Sequence, residues 1–243
     1  MLTRVLTVGL LAGLVAGFAI AVLQHVVTTP LILAAEAYEE AGKKVKETAV
    51  SDNSLVLTHN HQAAPDVEGW KPEDGLQRIS FTALTTIVAA IGFAFVLLAA
   101  MIAAGDPIDE RRAVAWASAA FVAAGLAPAV GLAPELPGSA AAPVLDRQIW
   151  WLGTAFATAA ALWLFLRSGR LWMGLLGAVL LIAPHVVGAP HPPSLESAVP
   201  AELAARFAAA SLAVQAALWV LTGAAVGLFW TRSDGGHRQT ASL

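Results

Sequence analysis

Cysteine is missing from the 243 residues, and charge is scarce, since only 13% of the residues are Asp, Glu, Lys or Arg. The first absence excludes disulfide bonds and thiolate metal sites, so any metal must bind His, carboxylate or backbone oxygen. The scarcity of charged residues excludes an ordinary soluble domain, in which about a quarter of the residues are charged. Hydrophobic residues make up 58% of the chain, and the mean hydropathy is +0.70. The expected solvent is therefore lipid.

Sequence motifs of nucleotide hydrolysis and of hydrolytic catalysis are absent as well. The chain has no Gly-x-x-x-x-Gly-Lys-Ser/Thr, no Gly-x-Ser-x-Gly and no His-Glu-x-x-His. It also has no tract of Lys and Arg interleaved with aromatic residues, of the kind that binds nucleic acid. We therefore expect no enzyme and no nucleic-acid partner, and we rank a membrane enzyme acting on a lipid as a weak third alternative.

Six uncharged runs are long enough to cross a hydrocarbon core, which takes about 20 residues per helix. They extend from Val5 to Leu33, Ile79 to Ala104, Ala113 to Gly131, Gln148 to Leu166, Leu171 to Val187, and Phe207 to Trp230. No stretch alternates apolar and polar residues as a membrane strand does. The pattern predicts an all-α fold, a polytopic membrane helix bundle of about six transmembrane helices in a single domain over residues 1–243.

The segment between the first two runs, residues 36–78, is predicted to be an extramembrane loop. Its charged first part, from Glu36 to Val50, indicates an amphipathic helix leaving the membrane, and its second part is rich in turn-forming residues. The first run also has a competing interpretation as a cleaved signal peptide that ends near Ala21. Because the apolar stretch continues to Ala35, we favour a retained helix, in which Gly9, Gly13 and Gly17 form a stripe for close helix packing.

With six helices, both termini lie on the same side of the membrane, and the placement of Lys and Arg decides which side that is. If the N-terminus is cytoplasmic, the inner segments hold seven arginines, namely Arg4, Arg111, Arg112, Arg167, Arg170, Arg232 and Arg238. The short outer loops then hold only Arg147 and Arg206, while the long first loop adds five basic residues among several glutamates. We therefore expect both termini in the cytoplasm.

Five of the six histidines fall on the outer side in that topology, namely His25, His59, His61, His185 and His191. Imidazole and carboxylate are ligands that Co²⁺, Ni²⁺ and Zn²⁺ accept readily. Glu36 lies on the same helical stripe as His25, and Glu135 is an acid in an otherwise apolar outer turn. The same residues also fit a neutral histidine at the membrane interface and solvated outer turns, so both interpretations stay open here.

Six sequence blocks in a fixed order resemble the CbtA family of probable cobalt transporter subunits. They are Gln24-His25 with Thr28-Thr29-Pro30, Ala35-Glu36 with Tyr38-Glu39, Trp70 with Pro72-Glu73-Asp74-Gly75, Ala133-Pro134-Glu135-Leu136-Pro137-Gly138, Arg147-Gln148 with Trp150-Trp151, and Pro184-His185 with Ala189-Pro190-His191-Pro192. The blocks span nearly the whole chain. The resemblance implies a bacterial inner-membrane protein for cobalt uptake, linked to cobalamin supply, that acts with a small His-bearing partner of the CbtB type.

The functional hypothesis is that outer-side His and Glu side chains capture divalent cobalt. His59, His61 and His191 would meet the ion, and His25, Glu36, Glu135 and His185 would form the access site of the helix bundle. Cobalt is expected as the transported substrate and no cofactor is expected. The alternative is a non-transporting membrane scaffold that recruits a partner protein and uses its histidines only for that interface.

Overall fold

The computed structural model describes residues 1–52 and 72–240, which form seven helices and contain no strand. The helices are α1 Leu2–Val27, α2 Thr29–Asp52, α3 Leu76–Ala103, α4 Glu110–Gly131, α5 Val144–Arg167, α6 Leu171–Val187 and α7 Ala201–Thr240. Five of them are long and apolar enough to cross a membrane, namely α1, α3, α4, α5 and the part of α7 up to Ser233. The apolar α6 is shorter, with 17 residues. The predicted all-helical membrane fold is confirmed.

The first apolar run is divided into two helices at Thr28, whereas the sequence pattern predicted one helix up to Leu33. Pro30 has no N–H to continue the helical ladder, but it fits the first turn of a new helix. The Thr28 hydroxyl donates a hydrogen bond to the Gln24 carbonyl oxygen at 3.1 Å and completes the end of α1. The charged segment that was predicted to be helical therefore lies within a separate helix, α2.

Small residues set the packing of α1 against α3. A methyl group added at Gly9, Gly13 or Gly17 would overlap atoms of α3, and at Gly13 those atoms belong to the Ile91 backbone. Residues later in α1 face residues earlier in α3, so the two helices are antiparallel. The glycine stripe is thus a packing surface, as predicted.

Four helices form the core of the bundle, and α4 packs against α7 in the same close manner as α1 packs against α3. Gly223 and Gly227 of α7 lie directly against Ala113 and Glu110 of α4. The buried core contains Val8 and Ala12 of α1, Ala94, Leu97, Leu98 and Met101 of α3, Ala113 and Ala117 of α4, and Trp219, Val226 and Trp230 of α7. We call α1, α3, α4 and α7 the core bundle.

The hairpin of α5 and α6 lies beside this core bundle. Gly177 of α6 packs against Ala161 and Phe165 of α5, so the two helices of the hairpin are in close contact. The hairpin reaches the core bundle chiefly where the α-helix of α4 is interrupted by a π-helical turn, Val122–Leu126. Pro128, one turn further on, cannot donate a backbone hydrogen bond and contributes to this irregularity.

The helices alternate in direction, so the bundle has two ends with different residues. At one end, the Arg4 side chain donates to Ser233 Oγ at 2.7 Å, and Arg167 meets Asp106. We call this the Arg4 end, and the opposite end, with His25 and Glu135, the His25 end. Both termini of the described bundle therefore share one end, as an even number of crossings requires.

Helix α2 lies across the His25 end. Ala35 is buried in a small cluster with Leu136 from the loop after α4, and with Val199 and Phe207 at the beginning of α7. Gly138 approaches Glu39 of the same helix. Helix α2 thus covers the end of the core bundle and contacts the segments on either side of the hairpin.

Candidate metal centre

His25 lies in the last turn of α1 at the His25 end, and its side chain is exposed. The neighbouring Gln24 has the more enclosed position, because its amide oxygen accepts a hydrogen bond from the Thr86 hydroxyl of α3 at 2.7 Å. The predicted common stripe of His25 and Glu36 required one continuous helix. Because α1 ends at Val27 and α2 begins at Thr29, His25 and Glu36 belong to different helices, and Glu36 has a different partner.

Glu36 binds the guanidinium group of Arg78 through both of its carboxylate oxygens. Arg78 Nη1 lies 2.9 Å from Glu36 Oε2, and Nη2 contacts Oε1. Asp74 accepts a further hydrogen bond from Arg78 at 3.2 Å. A bidentate pair of this kind is both strong and directional. It joins α2 to the first turn of α3 and neutralises the charge that the sequence hypothesis assigned to a metal ligand.

Glu135 has the same kind of partner. Its Oε2 atom lies 2.8 Å from Arg147 Nη2, and both side chains are about three-quarters enclosed by protein. Glu135 belongs to the loop after α4, whereas Arg147 belongs to the first turn of α5. The ion pair therefore fastens the hairpin to the core bundle at the His25 end.

His185 packs against Trp150, with ring centroids 5.9 Å apart and an angle of 70° between the ring planes. The Trp150 indole N–H donates to the Pro184 carbonyl oxygen at 3.2 Å, which fixes the beginning of α5 against the end of α6. His191 lies in the proline-rich segment that follows and is exposed.

All predicted ligands within the described residues lie at the His25 end, but the structure does not bring them together as a ligand set. They are His25, Glu36, Glu135, His185 and His191. Within residues 1–52 and 72–240, no three His, Asp or Glu side chains lie close enough to hold a metal ion. His59 and His61 lie outside the described residues. The ligand assignment thus stays a prediction. The two carboxylates in that assignment, Glu36 and Glu135, have arginine partners in the structure.

Two of the cavities among the described residues lie along α4, and neither was anticipated from the sequence. One, of 620 Å³, opens toward the His25 end and is lined by Gly125, Arg147, Gln148, Trp151 and Gln215, together with small residues of α4. We call it the His25-side cavity. The signal that could have revealed it is Gln215, an amide within an apolar run, because polar residues inside membrane helices usually face a cavity or a partner.

The other cavity, of 430 Å³, opens toward the Arg4 end. We call it the Arg4-side cavity; Asp106, Trp116, Trp163, Arg167 and Trp219 are among the residues that line it. Asp106 accepts hydrogen bonds from the Trp116 indole at 2.8 Å and from the Arg167 guanidinium at 2.6 Å. The Trp116 hydrogen bond and the Arg167 charge hold the pKa of Asp106 below its usual value, so the carboxylate stays ionised at neutral pH.

Helices of this length and apolarity, arranged as a bundle, define the chain as a multi-pass membrane protein. The sequence profile of the CbtA family, described as probable cobalt transporter subunit, matches residues 2–231 of the 243. The chain belongs to this family. No curated protein and no solved structure gives a significant match to it. The family description gives cobalt as the probable substrate, and the word subunit in it implies that the transporter contains a second subunit.

Proposed function

We propose that this chain is the membrane subunit through which divalent cobalt is taken up across the bacterial inner membrane. The observation that carries the proposal is the placement of His25, His185 and His191, together with the paired glutamates, at one end of a bundle that belongs to a cobalt transporter family. The His25 end receives the ion, and the Arg4 end releases it.

The distribution of arginines supports an orientation with the Arg4 end in the cytoplasm. Arg111, Arg170 and Arg232 at this end are exposed and have no ion pair within the described residues, whereas Arg206 is the corresponding residue at the His25 end. Arg78 and Arg147 at the His25 end are each paired with a carboxylate. Arginine and lysine are enriched in the cytoplasmic segments of membrane proteins, and arginines are more numerous at the Arg4 end than at the His25 end. The His25 end accordingly faces outward.

Imidazole groups make the first contact with the ion in this proposal. His59, His61 and His191 capture cobalt, and His25 and His185 provide the next imidazoles, since Co²⁺ accepts such ligands in place of water. Several weak ligands are better suited to transport than one tight site, because the ion has to leave again. Glu36 and Glu135 become ligands only when Arg78 and Arg147 move away, so each arginine acts as a tethered cation that competes with cobalt.

The partner in this proposal is a small single-helix membrane protein with histidines, of the CbtB type. A scaffold without transport activity is the second candidate function. It is favoured by a specific observation, namely that the described residues contain no group of three metal-ligating side chains. In the scaffold role, the ion pairs of Glu36 and Glu135 serve only to hold the helices together.

Uptake of cobalt by proteoliposomes separates the two functions. The purified chain is reconstituted with and without the candidate partner, and the uptake of cobalt, nickel and zinc is measured with radioactive metals. We expect cobalt to accumulate in vesicles that contain both proteins. Binding of the partner without accumulation of any of the three metals would contradict transport and support the scaffold.

A further inference from the structure

We propose that the cation crosses the membrane between the α5–α6 hairpin and the core bundle, through two cavities that approach each other at the π-helical turn of α4. The inference rests on the proposed transport function and assigns the route within it. It differs from the access site at the histidines, because none of the predicted histidine ligands lines either cavity.

The two cavities lie along the same three helices, α4, α5 and α7, and approach each other from opposite ends. On α4, Ala124 lines the His25-side cavity and the preceding Ala123 lines the Arg4-side cavity. On α7, the corresponding neighbours are Gln215 and Trp219, which are four residues and therefore about 6 Å apart along the helix axis. On α5, Leu152 lines the His25-side cavity and Ala159 lines the Arg4-side cavity, so the barrier between the cavities is about one to two helical turns thick.

Polar groups are present at this barrier, deep in an apolar bundle. The amide oxygen of Gln215 lies so close to Gly125 that a methyl group there would overlap it. A π-helical turn releases backbone carbonyl groups from the regular ladder, and irregular backbone at membrane depth is tolerated where it lines a cavity or is buried in protein. Amide and carbonyl oxygens at the barrier offer neutral ligands to a passing cation.

The Trp219 side chain, which lines the Arg4-side cavity, carries a polar atom that has no partner among the described residues. Trp219 is 4% exposed, and its indole N–H has no hydrogen-bond acceptor. A polar group without a partner in an apolar interior costs free energy, so groups of this kind are expected where water or an ion passes.

One ion pair lies at each outer end of this route. Arg147 at the beginning of α5 binds Glu135, and Arg167 at the end of α5 binds Asp106. The two carboxylates lie in the loops that precede and follow α4, so both belong to the core bundle side, whereas both arginines belong to the hairpin. With both pairs formed, the negative charge of each carboxylate is neutralised.

Because the carboxylates lie on the core bundle side and the arginines lie on the hairpin, separation of the two leaves a negative charge at the opening end. If α5 pivots about the π-helical turn, the arginine at the opening end moves away with the hairpin and leaves a carboxylate at the mouth. A negative mouth attracts a divalent cation. Rocking of one helix bundle against another around a fixed site is a common basis of alternating access in transporters.

Thiol accessibility tests the route directly, because the chain contains no cysteine and every single-cysteine variant is therefore unambiguous. Gln215→Cys reports on the His25-side cavity and Ala119→Cys on the Arg4-side cavity. Phe156→Cys is the matched control on α5, because Phe156 is 72% exposed on the lipid-facing surface. Each variant is reconstituted in sealed vesicles and treated on one side at a time with a charged, membrane-impermeant methanethiosulfonate.

We expect Gln215→Cys to react from the side of the His25 end, Ala119→Cys to react from the opposite side, and Phe156→Cys to react from neither. The charged adduct at position 215 should lower cobalt uptake at least tenfold. If both cavity cysteines are as inert as Phe156→Cys, or if the adduct leaves uptake unchanged, the route is overturned. Cobalt uptake by the cysteine-free parent is measured in parallel, so a failure of the transport function is recognised separately from a failure of the route.

Discussion

Two arginines at the His25 end, Arg78 and Arg147, occupy the carboxylates that a cation would need. A guanidinium group and a divalent ion cannot neutralise the same carboxylate equally well at the same time, so in the proposed mechanism the arginines compete with cobalt. Surface exposure of about a quarter to a third of each side chain moderates the effect through solvent screening.

Replacement of Arg147 should therefore make cobalt bind more readily. In Arg147→Gln, Glu135 keeps its charge but loses its partner, and we expect half-maximal uptake at a cobalt concentration that is lower by about fivefold, equivalent to ~1 kcal/mol. Arg206→Gln is the control, because Arg206 lies at the same end and has no ion pair within the described residues. An unchanged or higher half-maximal concentration in Arg147→Gln would refute the competition.

His25 is the histidine whose removal tests the access site most simply. His25→Ala is expected to slow the uptake of radioactive cobalt by about tenfold, which corresponds to ~1.4 kcal/mol of lost binding free energy. His237→Ala serves as the control, since His237 follows Trp230 in the sequence, beyond the Arg4 end of the core. Normal uptake by His25→Ala at a normal protein level would remove His25 from the mechanism.

The lowered pKa of Asp106 predicts how the stability of the folded protein depends on pH. Because its pKa in the folded protein is lowered, its contribution to stability is present above the ordinary value of 3.8 and is lost as the pH falls through the lowered pKa. Trp116→Phe removes the main cause of the lowered pKa and brings the folded-state pKa closer to 3.8, so the acid-induced fall in the unfolding temperature should be smaller than in the parent. Trp163→Phe replaces the indole under Arg167 by a phenyl ring, keeps the hydrogen bond between Trp116 and Asp106, and should keep the pH profile of the parent.

At the scale of the helices, the glycine stripe of α1 is the feature with the clearest energetic consequence. Gly13→Val places two methyl groups against the backbone of Ile91, and we expect a loss of about 1–3 kcal/mol from the forced separation of α1 and α3. Gly92→Val is the control, since Gly92 lies in α3 with open space around its Cα. Equal unfolding temperatures for the two variants in detergent would contradict this account of the packing.

Helix α5 also allows a test of the pivoting motion. Cysteines at Asp106 and Arg167, joined by a reducible bifunctional thiol reagent, should stop cobalt uptake, and reduction should restore it. The same linkage between cysteines at Arg4 and Ser233 is the control, because that contact lies within the core bundle. Full uptake by the linked Asp106–Arg167 variant would show that this end does not need to open.

The elements that the sequence predicted well are those that depend on one helix at a time. Hydrophobicity located the five described helices that are long and apolar enough to cross a membrane, together with the shorter α6, and the spacing of Gly9, Gly13 and Gly17 indicated a packing face. The break at Thr28 was missed because uninterrupted apolar character obscured the effect of Pro30. The arginine partners of Glu36 and Glu135 were missed for a different reason, since they depend on how neighbouring helices are placed, which periodicity within one helix does not encode.

At the scale of the whole molecule, the arrangement places every described candidate ligand at one end and most unpaired arginines at the other. With reporter fusions, we expect a C-terminal alkaline phosphatase to be inactive and a C-terminal fluorescent protein to be bright, because both termini are cytoplasmic in the proposed orientation. A fusion after Pro193, in the segment between α6 and α7, should give the opposite result. Reversed activities would place His25 and His185 inside the cell and contradict uptake through them.

Helix α2 is anchored at the His25 end by two kinds of contact. It is joined to α3 by the ion pair between Glu36 and Arg78, and it packs on Leu136, next to Glu135. Close-packed contacts transmit displacement rather than absorb it. A displacement of α2 is therefore passed to the loop that carries Glu135, so this helix and the Glu135–Arg147 ion pair are mechanically coupled.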